Sequence, residues 1–341
     1  MNPFELTRAL VDIDSTTGSE LAIADYLFSY LAPIAGKFGG RVERLNAAAR
    51  RDNILVTFGN PVVTLSTHTD TVPPFFPSRE DEKHIFGRGS CDAKGIIAAM
   101  IAAGETLLTG GIRNFGLLFV VGEERSSIGA KMAARNPRGS QFLINGEPTD
   151  NHLAIGSKGA LRYELTADGK LAHSAYPELG HSAIHALLDA LRDVRELAMP
   201  TDPVLGLTTL NVGTIAGGRA PNVVADAARA EIMFRLVGDP GQLRTAVEKI
   251  ALVHSINARE VLFTPAAHLG ALPDFPTKVV AFTTDVPAFN GTWGKPYLIG
   301  PGSIQLAHTA EEHIPKKQLL EAVEIYARMV RQLLATGVAA S

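Results

Sequence analysis

Before residue 150, three apolar runs of four to six residues each stop at a histidine or an acidic residue. Residues 62–66 lead into His68 and Asp70, residues 116–121 into Glu123 and Glu124, and residues 141–144 into Glu147. Runs of that length, rich in Val, Ile, Leu and Phe, suit strands buried on both faces. A further run over 53–58 has the same character, and the small-residue-rich stretch 94–108 reads as a packed helix. Residues 4–12 and 20–35 carry helical spacing on either side of the turn-rich segment 14–18. Strands alternating with helices predict an α/β sheet covered on its faces. In such sheets ligands bind outside the carboxyl ends of the strands, where these ionisable residues fall.

The middle of the chain is patterned differently. Residues 161–166, 208–215 and 227–236 alternate like half-buried strands, 260–264 reads as a further strand, and 182–197 and 242–254 read as helices. That order predicts a small α+β domain with helices on one face of an antiparallel sheet. Strand-like 278–283 and 296–299 and the long helix 318–334 then return to the first pattern. We therefore expect a domain over 158–268 inserted into a discontinuous one over 1–157 and 269–341, and 341 residues suit two domains. A net charge of −3 with no basic run argues against nucleic acid or anionic lipid as partners. A single cysteine, Cys91, rules out an intrachain disulfide and suits a reducing compartment. No signal-peptide pattern or membrane-length apolar run is present, so a cytoplasmic protein is expected.

The residues at the strand ends suggest metal chemistry. Histidine is the commonest nitrogen ligand of zinc, and a carboxylate such as Asp70 two residues after His68 can fix the ring's tautomer. The plain alternative is a turn histidine beside a capping Asp. In Gly87–Arg88–Gly89–Ser90–Cys91–Asp92–Ala93–Lys94–Gly95, Asp92 either caps the following helix or bridges two cations with its two oxygens. The adjacent carboxylates Glu123 and Glu124 repel each other when dry, a cost that a cation removes. Glu147 follows another apolar run, and His308 follows Gly300–Pro301–Gly302–Ser303, where glycines permit close backbone approach to a ligand. Two histidines with three or four carboxylates suit a dinuclear zinc site, with cobalt or manganese as substitutes.

In this order the motifs His-x-Asp, Gly-Arg-Gly-x-x-Asp-x-Lys-Gly, Gly-Glu-Glu, Gly-Glu-Pro-Thr and a late histidine are recognisable. The chain resembles, over nearly its whole length, the metallopeptidase family of acetylornithine deacetylase, succinyl-diaminopimelate desuccinylase, aminoacylase and glutamate carboxypeptidase. The resemblance implies a mixed-sheet catalytic domain with an inserted ferredoxin-like lid and dimerisation domain. It assigns His68 and Glu147 to one zinc ion, Glu124 and His308 to the other, and Asp92 to both. Glu123 becomes the general base and Asp70 the group that orients His68. A cis peptide bond is expected after Asp92. In the lid, His173 would stabilise an oxyanion in the partner subunit's site, and Asn222 and Arg235 would bind the substrate carboxylate. Gly302 and Ser303 would line the substrate site. The implied activity is hydrolysis of the amide of a small N-acyl amino acid, with N-acetylornithine or N-acetylcitrulline foremost. A hydrolase releasing lysine or ornithine from a carrier protein, a desuccinylase, a dipeptidase and a carboxypeptidase follow. The chain departs from the family at Ala225, usually proline, and in being short. Non-catalytic metal binding and dinuclear phosphoester hydrolysis are the readings from other classes; the intact Glu123 and the lack of a phosphate cradle argue against them.

Overall fold

The apolar runs are strands, and their neighbours in space explain why they carry so few polar residues. Val63–His68 and Phe115–Val120 are buried at every position. The computed structural model describes residues 2–338. The chain divides into two units, one containing residues up to Ile155, Leu269–Lys278 and the chain from Thr284, the other Gly156–His268 and Val279–Thr283.

The first unit is built on a mixed sheet. Its strands run in the spatial order Arg41–Ala48, Arg51–Phe58, Phe115–Val120, Val63–His68, Phe142–Asn145, Lys295–Leu298 and Leu153–Ser157, the last of which crosses the unit boundary. Phe115–Val120, Val63–His68, Phe142–Asn145 and Lys295–Leu298 are mutually parallel, so their carboxyl ends lie on one side. The period of two along a strand sorts the core. Ile54, Val56, Leu117, Phe119 and Ile144 pack with the helices Pro3–Val11, Leu21–Lys37, Gly95–Thr109 and Lys316–Val338. Leu55, Leu118, Val120 and Leu143 pack instead with Ala130, Ala133, Phe289 and Trp293.

The sequence pattern missed three elements of this sheet and its cover. Arg41–Ala48 is a mostly half-exposed strand carrying Arg41, Glu43 and Arg44, paired on one side only and irregular between Asn46 and Ala48. The helix Ile128–Ala134 has seven residues, too few for a periodic signal. It is fixed by Asn53, which donates to the Gly129 carbonyl (2.9 Å) and accepts from the Val121 N–H (3.1 Å). Leu153–Ser157 ends in small residues and does not read as an apolar run. The strand expected over 278–283 is Thr277–Val280.

The second unit has the strand–helix–strand–strand–helix–strand order. Its sheet runs Thr209–Gly217, Ala227–Leu236, Gly159–Asp168 and Asn257–Thr264, antiparallel throughout. Leu161, Tyr163, Leu165, Ile232 and Phe234 form its core with Leu187 and Leu191 of helix Ala183–Arg195 and Leu243 and Val247 of helix Gly241–Val253. Ser182 caps the first of these helices, its hydroxyl accepting from the His185 N–H. Among the described residues no helix is long and apolar enough to cross a membrane.

Trp293 joins the covering helix to the sheet. It is fully buried, and its indole N–H donates to the Ala133 carbonyl at 2.9 Å. Replacing it with Ala is expected to lower the stability of the first unit by about 3–5 kcal/mol through the lost contacts and the cavity. Urea unfolding followed by circular dichroism checks this, and an unchanged midpoint would refute the packing described here.

Candidate metal centre

The four parallel strands deliver the ionisable residues to one place. His68 is the last residue of its strand. Gly122–Glu123–Glu124 follows Phe115–Val120 after Val121, Glu147 lies two residues beyond Phe142–Asn145, and the segment leading to His308 follows Lys295–Leu298. Asp92 arrives from the turn before helix Gly95–Thr109, and the Asp92–Ala93 peptide bond is cis.

His68 is nearly inaccessible. Its Nδ1 lies 2.9 Å from the backbone carbonyl of Asp70. A carbonyl only accepts, so Nδ1 carries the proton and Nε2 is the ligand nitrogen of the neutral ring. That Nε2 lies 2.9 Å from Asp92 Oδ1. The other oxygen of Asp92, Oδ2, lies 3.5 Å from His308 Nε2, which is also 3.0 Å from Glu124 Oε1. One carboxylate thus presents each of its oxygens to a different imidazole. One donor atom from each of His68, Asp92 and Glu124 lies within 4.8 Å of the others. Glu147 is buried beside them, with Oε1 3.4 Å from Asn145 Nδ2. Glycine is required in this loop: a Cβ at Gly300 would stand 2.6 Å from the Glu147 carbonyl oxygen.

Electrostatics singles out the same residues. Burial pushes the carboxyls of Glu123 and Glu147 well above the usual range, with the charge of Glu147 adding to the effect on Glu123 and that of Asp92 to the effect on Glu147. Burial also raises Glu124. Burial works against ionised Asp92, yet its hydrogen bonds with His308 and His68 hold it below the usual range. Hydrogen bonds to Asp92 and Glu124 push His308 up to about 10. Burial opposes protonation of His68, but the neighbouring carboxylates of Asp70 and Asp92 outweigh this and raise it. Carboxylates converging on imidazole nitrogens are a donor set that fits a zinc-like divalent ion.

Asp70 does more than the sequence suggested. It meets the His68 ring through its backbone carbonyl, its carboxylate oxygen being 3.6 Å away. The carboxylate instead accepts the N–H groups of Gly122 (2.8 Å), Glu123 (3.0 Å) and Glu124 (3.3 Å) and the Thr17 hydroxyl (2.8 Å). It therefore holds the turn that presents both glutamates.

Gly302 has little left to offer a ligand from its backbone. Its N–H donates to Gln318 Oε1 (2.8 Å) and its carbonyl accepts from Asp150 N–H (2.8 Å). With φ at +86°, and a Cβ only 2.9 Å from that of Cys91, it is a turn glycine. Ser303 pairs with Thr149 across a bridge, and Cys91, buried, meets its carbonyl as a packing residue. Sequence reading missed two residues of this unit. Asp285 is buried with neither oxygen bonded among the described residues, and burial pushes it up to about 7. Glu312, also buried, pairs with Arg88. Each was masked by a sequence context, Thr-Thr-Asp-Val or Ala-Glu-Glu-His, that reads as loop.

In the second unit, His173 and Asn222 share an exposed bridge: His173 pairs with Val223, and the Asn222 carbonyl accepts from Ser174 N–H at 3.0 Å. The His173 Nδ1 accepts from Ala175 N–H at 3.1 Å, which leaves Nε2 as the protonated nitrogen of the neutral ring. Arg235 lies on Ala227–Leu236, opposite Thr209 and Ala160. Of the histidines given no function, His254 pairs with Asp193 and His268 with Asp202.

The family model for peptidase family M20/M25/M40 matches residues 64–332. A peptidase M20 domain-containing protein of Schizosaccharomyces pombe is 38% identical over 96% of this chain and 84% of its own length. A probable carboxypeptidase of Aspergillus niger is 35% identical over 95% of this chain and 88% of its own. Among solved structures, an M20 family metallo-carboxypeptidase of Sulfolobus solfataricus superposes with a TM-score of 0.76 at 17% identity, covering 98% of this chain and 99% of that one. A dinuclear metal-binding M20 peptidase of Bacillus subtilis gives a TM-score of 0.70 at 13% identity, covering 98% and 97%. The mixed α/β fold is that of these peptidases, and the chain belongs to peptidase family M20/M25/M40, a family of metal-dependent hydrolases.

Proposed function

We propose that the protein is a dinuclear-zinc amidohydrolase that cleaves the amide bond next to a free α-carboxylate, in the manner of a carboxypeptidase or dipeptidase. The observation that carries this reading is the Asp92 carboxylate, with one oxygen toward His68 and the other toward His308 and its partner Glu124. His68 and Glu147 would hold one ion, Glu124 and His308 the other, and Asp92 both; cobalt or manganese would serve in place of zinc. Bound ions of this kind lower the pKa of a coordinated water and polarise the scissile carbonyl.

The chain's own residues do the rest. Glu123, whose buried carboxyl favours holding a proton, takes one from the attacking water and returns it to the departing amine. Asp70 keeps the Glu123 backbone in place for both transfers. Arg235, with a planar two-pronged donor, and Asn222 would bind the substrate carboxylate. His173, with its proton on Nε2, would stabilise the oxyanion in the site of a second copy, the second unit acting as lid and dimer contact. The names of the fungal relatives support the carboxypeptidase reading. A second reading, hydrolysis of an N-acetyl amino acid such as N-acetylornithine or N-acetylcitrulline, is favoured by the segments 284–289 and 300–308, which resemble those of acetylornithine deacetylases. The chemistry is the same in both.

Three outcomes follow. Dialysis against a chelator should abolish hydrolysis of a dipeptide or N-acetyl amino acid, and added zinc or cobalt should restore it; hydrolysis that survives chelation would end the metal reading. Glu123→Gln should lower kcat by about 10²–10⁴-fold while metal content measured by mass spectrometry stays at the wild-type level. Wild-type turnover in that variant would remove Glu123 from the mechanism. Arg235→Met should raise KM by about 10–100-fold for substrates with a free carboxylate and leave the matching C-terminal amides unaffected, as expected for a charge-assisted pair. An equal effect on both would place the carboxylate elsewhere.

A further inference from the structure

Glu312 holds the backbone of the turn that carries Asp92 at three points. It is buried. Its Oε1 accepts the backbone N–H groups of Gly89 (2.9 Å), Cys91 (3.3 Å) and Asp92 (3.2 Å). Its Oε2 accepts from Arg88 Nη1 at 2.5 Å. Its own carbonyl accepts the Gly87 N–H at 3.1 Å. Arg88 is buried as well, with Nε 3.3 Å from the Pro74 carbonyl and its guanidinium 4.9 Å from the Phe76 ring. The strand His313–Pro315, which starts at the next residue, pairs with His84–Phe86, immediately before Gly87. Both flanks of the contact are therefore stitched together.

Both oxygens of this carboxylate are turned toward donors of the chain, and it is not among the residues whose donor atoms cluster as metal ligands. Its position in sequence gives it a different use. Glu312 lies four residues after His308 and grips the backbone of Asp92, so one rigid group spans the two segments whose side chains must meet at the shared ion. A buried acceptor serving three backbone N–H groups has no water to replace it.

We infer that Glu312, locked by Arg88, is a positioning residue that sets the Asp92 turn and the His308 segment in bridging register before any ion binds. The inference rests on the reading of the site as a dinuclear metal centre. Gln at this position has one oxygen instead of two, and its NH₂ would face either Arg88 or the three N–H groups. Groups that orient ligands from behind change metal affinity by about 10–100-fold when replaced.

The test is calorimetric titration of chelator-stripped full-length protein with Zn²⁺, paired with the visible absorption of the Co²⁺-loaded form. Wild type should take up two ions. Glu312→Gln should weaken the weaker of the two by about 10–100-fold and shift the Co²⁺ bands. Leu187→Ala, a core truncation in the second unit, should lower Tm and leave both affinities unchanged. Arg88→Lys, which keeps the charge and loses the planar fork, should weaken the same ion by a smaller factor and serves if Glu312→Gln does not fold. Hydrogen exchange of the metal-free wild type should find residues 87–94 already protected. Wild-type affinities and Co²⁺ bands in Glu312→Gln or, failing that, in Arg88→Lys, would overturn the inference. So would an equal loss in Leu187→Ala, or a segment 87–94 that becomes protected only on adding zinc. A wild type that binds no ion would overturn the metal-centre reading together with it.

Discussion

Carboxylates taken out of water beside one another repel, and each must be neutralised by a proton or a cation. In the first unit this cost is concentrated: Asp92, Glu123, Glu124 and Glu147 gather around His68, and Asp285 is near enough to raise Glu123 and Glu147 further. Two imidazoles cannot balance so many acids. Burial raises Glu123 and Glu147 and their acidic neighbours raise them further, while the carboxylates beside His68 and His308 raise both imidazoles. A pair of divalent ions, as proposed above, would remove the repulsion and free the imidazole nitrogens to act as ligands.

The rest of the first unit can be understood as what keeps these groups from drifting apart. Four parallel strands, buried and apolar, fix the origins of the ligand loops. Behind the loops stand acceptors of backbone N–H: Asp70 under the Glu123–Glu124 turn and Glu312 under the Asp92 turn. Each is a buried carboxylate with its oxygens occupied by the chain, and neither faces solvent. Rigid elements carrying the ligands, with a second layer of hydrogen bonds setting their angles, are what a metal centre needs in order to hold one geometry.

Much of this was legible in the sequence, for a physical reason. Buried parallel strands must be continuous runs of apolar residues, so 62–66, 116–121 and 141–144 stood out, and so did the charged residues that end them. His68, Asp92 and Glu124 could be named before they were seen together. The period-two alternation of 227–236 marked a strand whose bounds the structure reproduces. Arg41–Ala48 was hidden because an edge strand half in water has no need of an apolar run. Asp285 and Glu312 were hidden because their importance comes from burial and from partners far away in sequence, Arg88 being 224 residues from Glu312. Proximity in sequence links Asp70 to His68, whereas the partners of its carboxylate, residues 122–124, lie more than fifty positions on.

If Asp92 bridges two metal ions, they lie one on each side of its carboxylate, toward His68 and toward His308. Diffraction from a zinc-loaded crystal, collected on either side of the zinc absorption edge, tests this arrangement directly. Two anomalous peaks are expected in the first unit, one on each side of the Asp92 carboxylate, with His68 and Glu147 at one and His308 and Glu124 at the other. A single peak, or peaks away from Asp92, would contradict it.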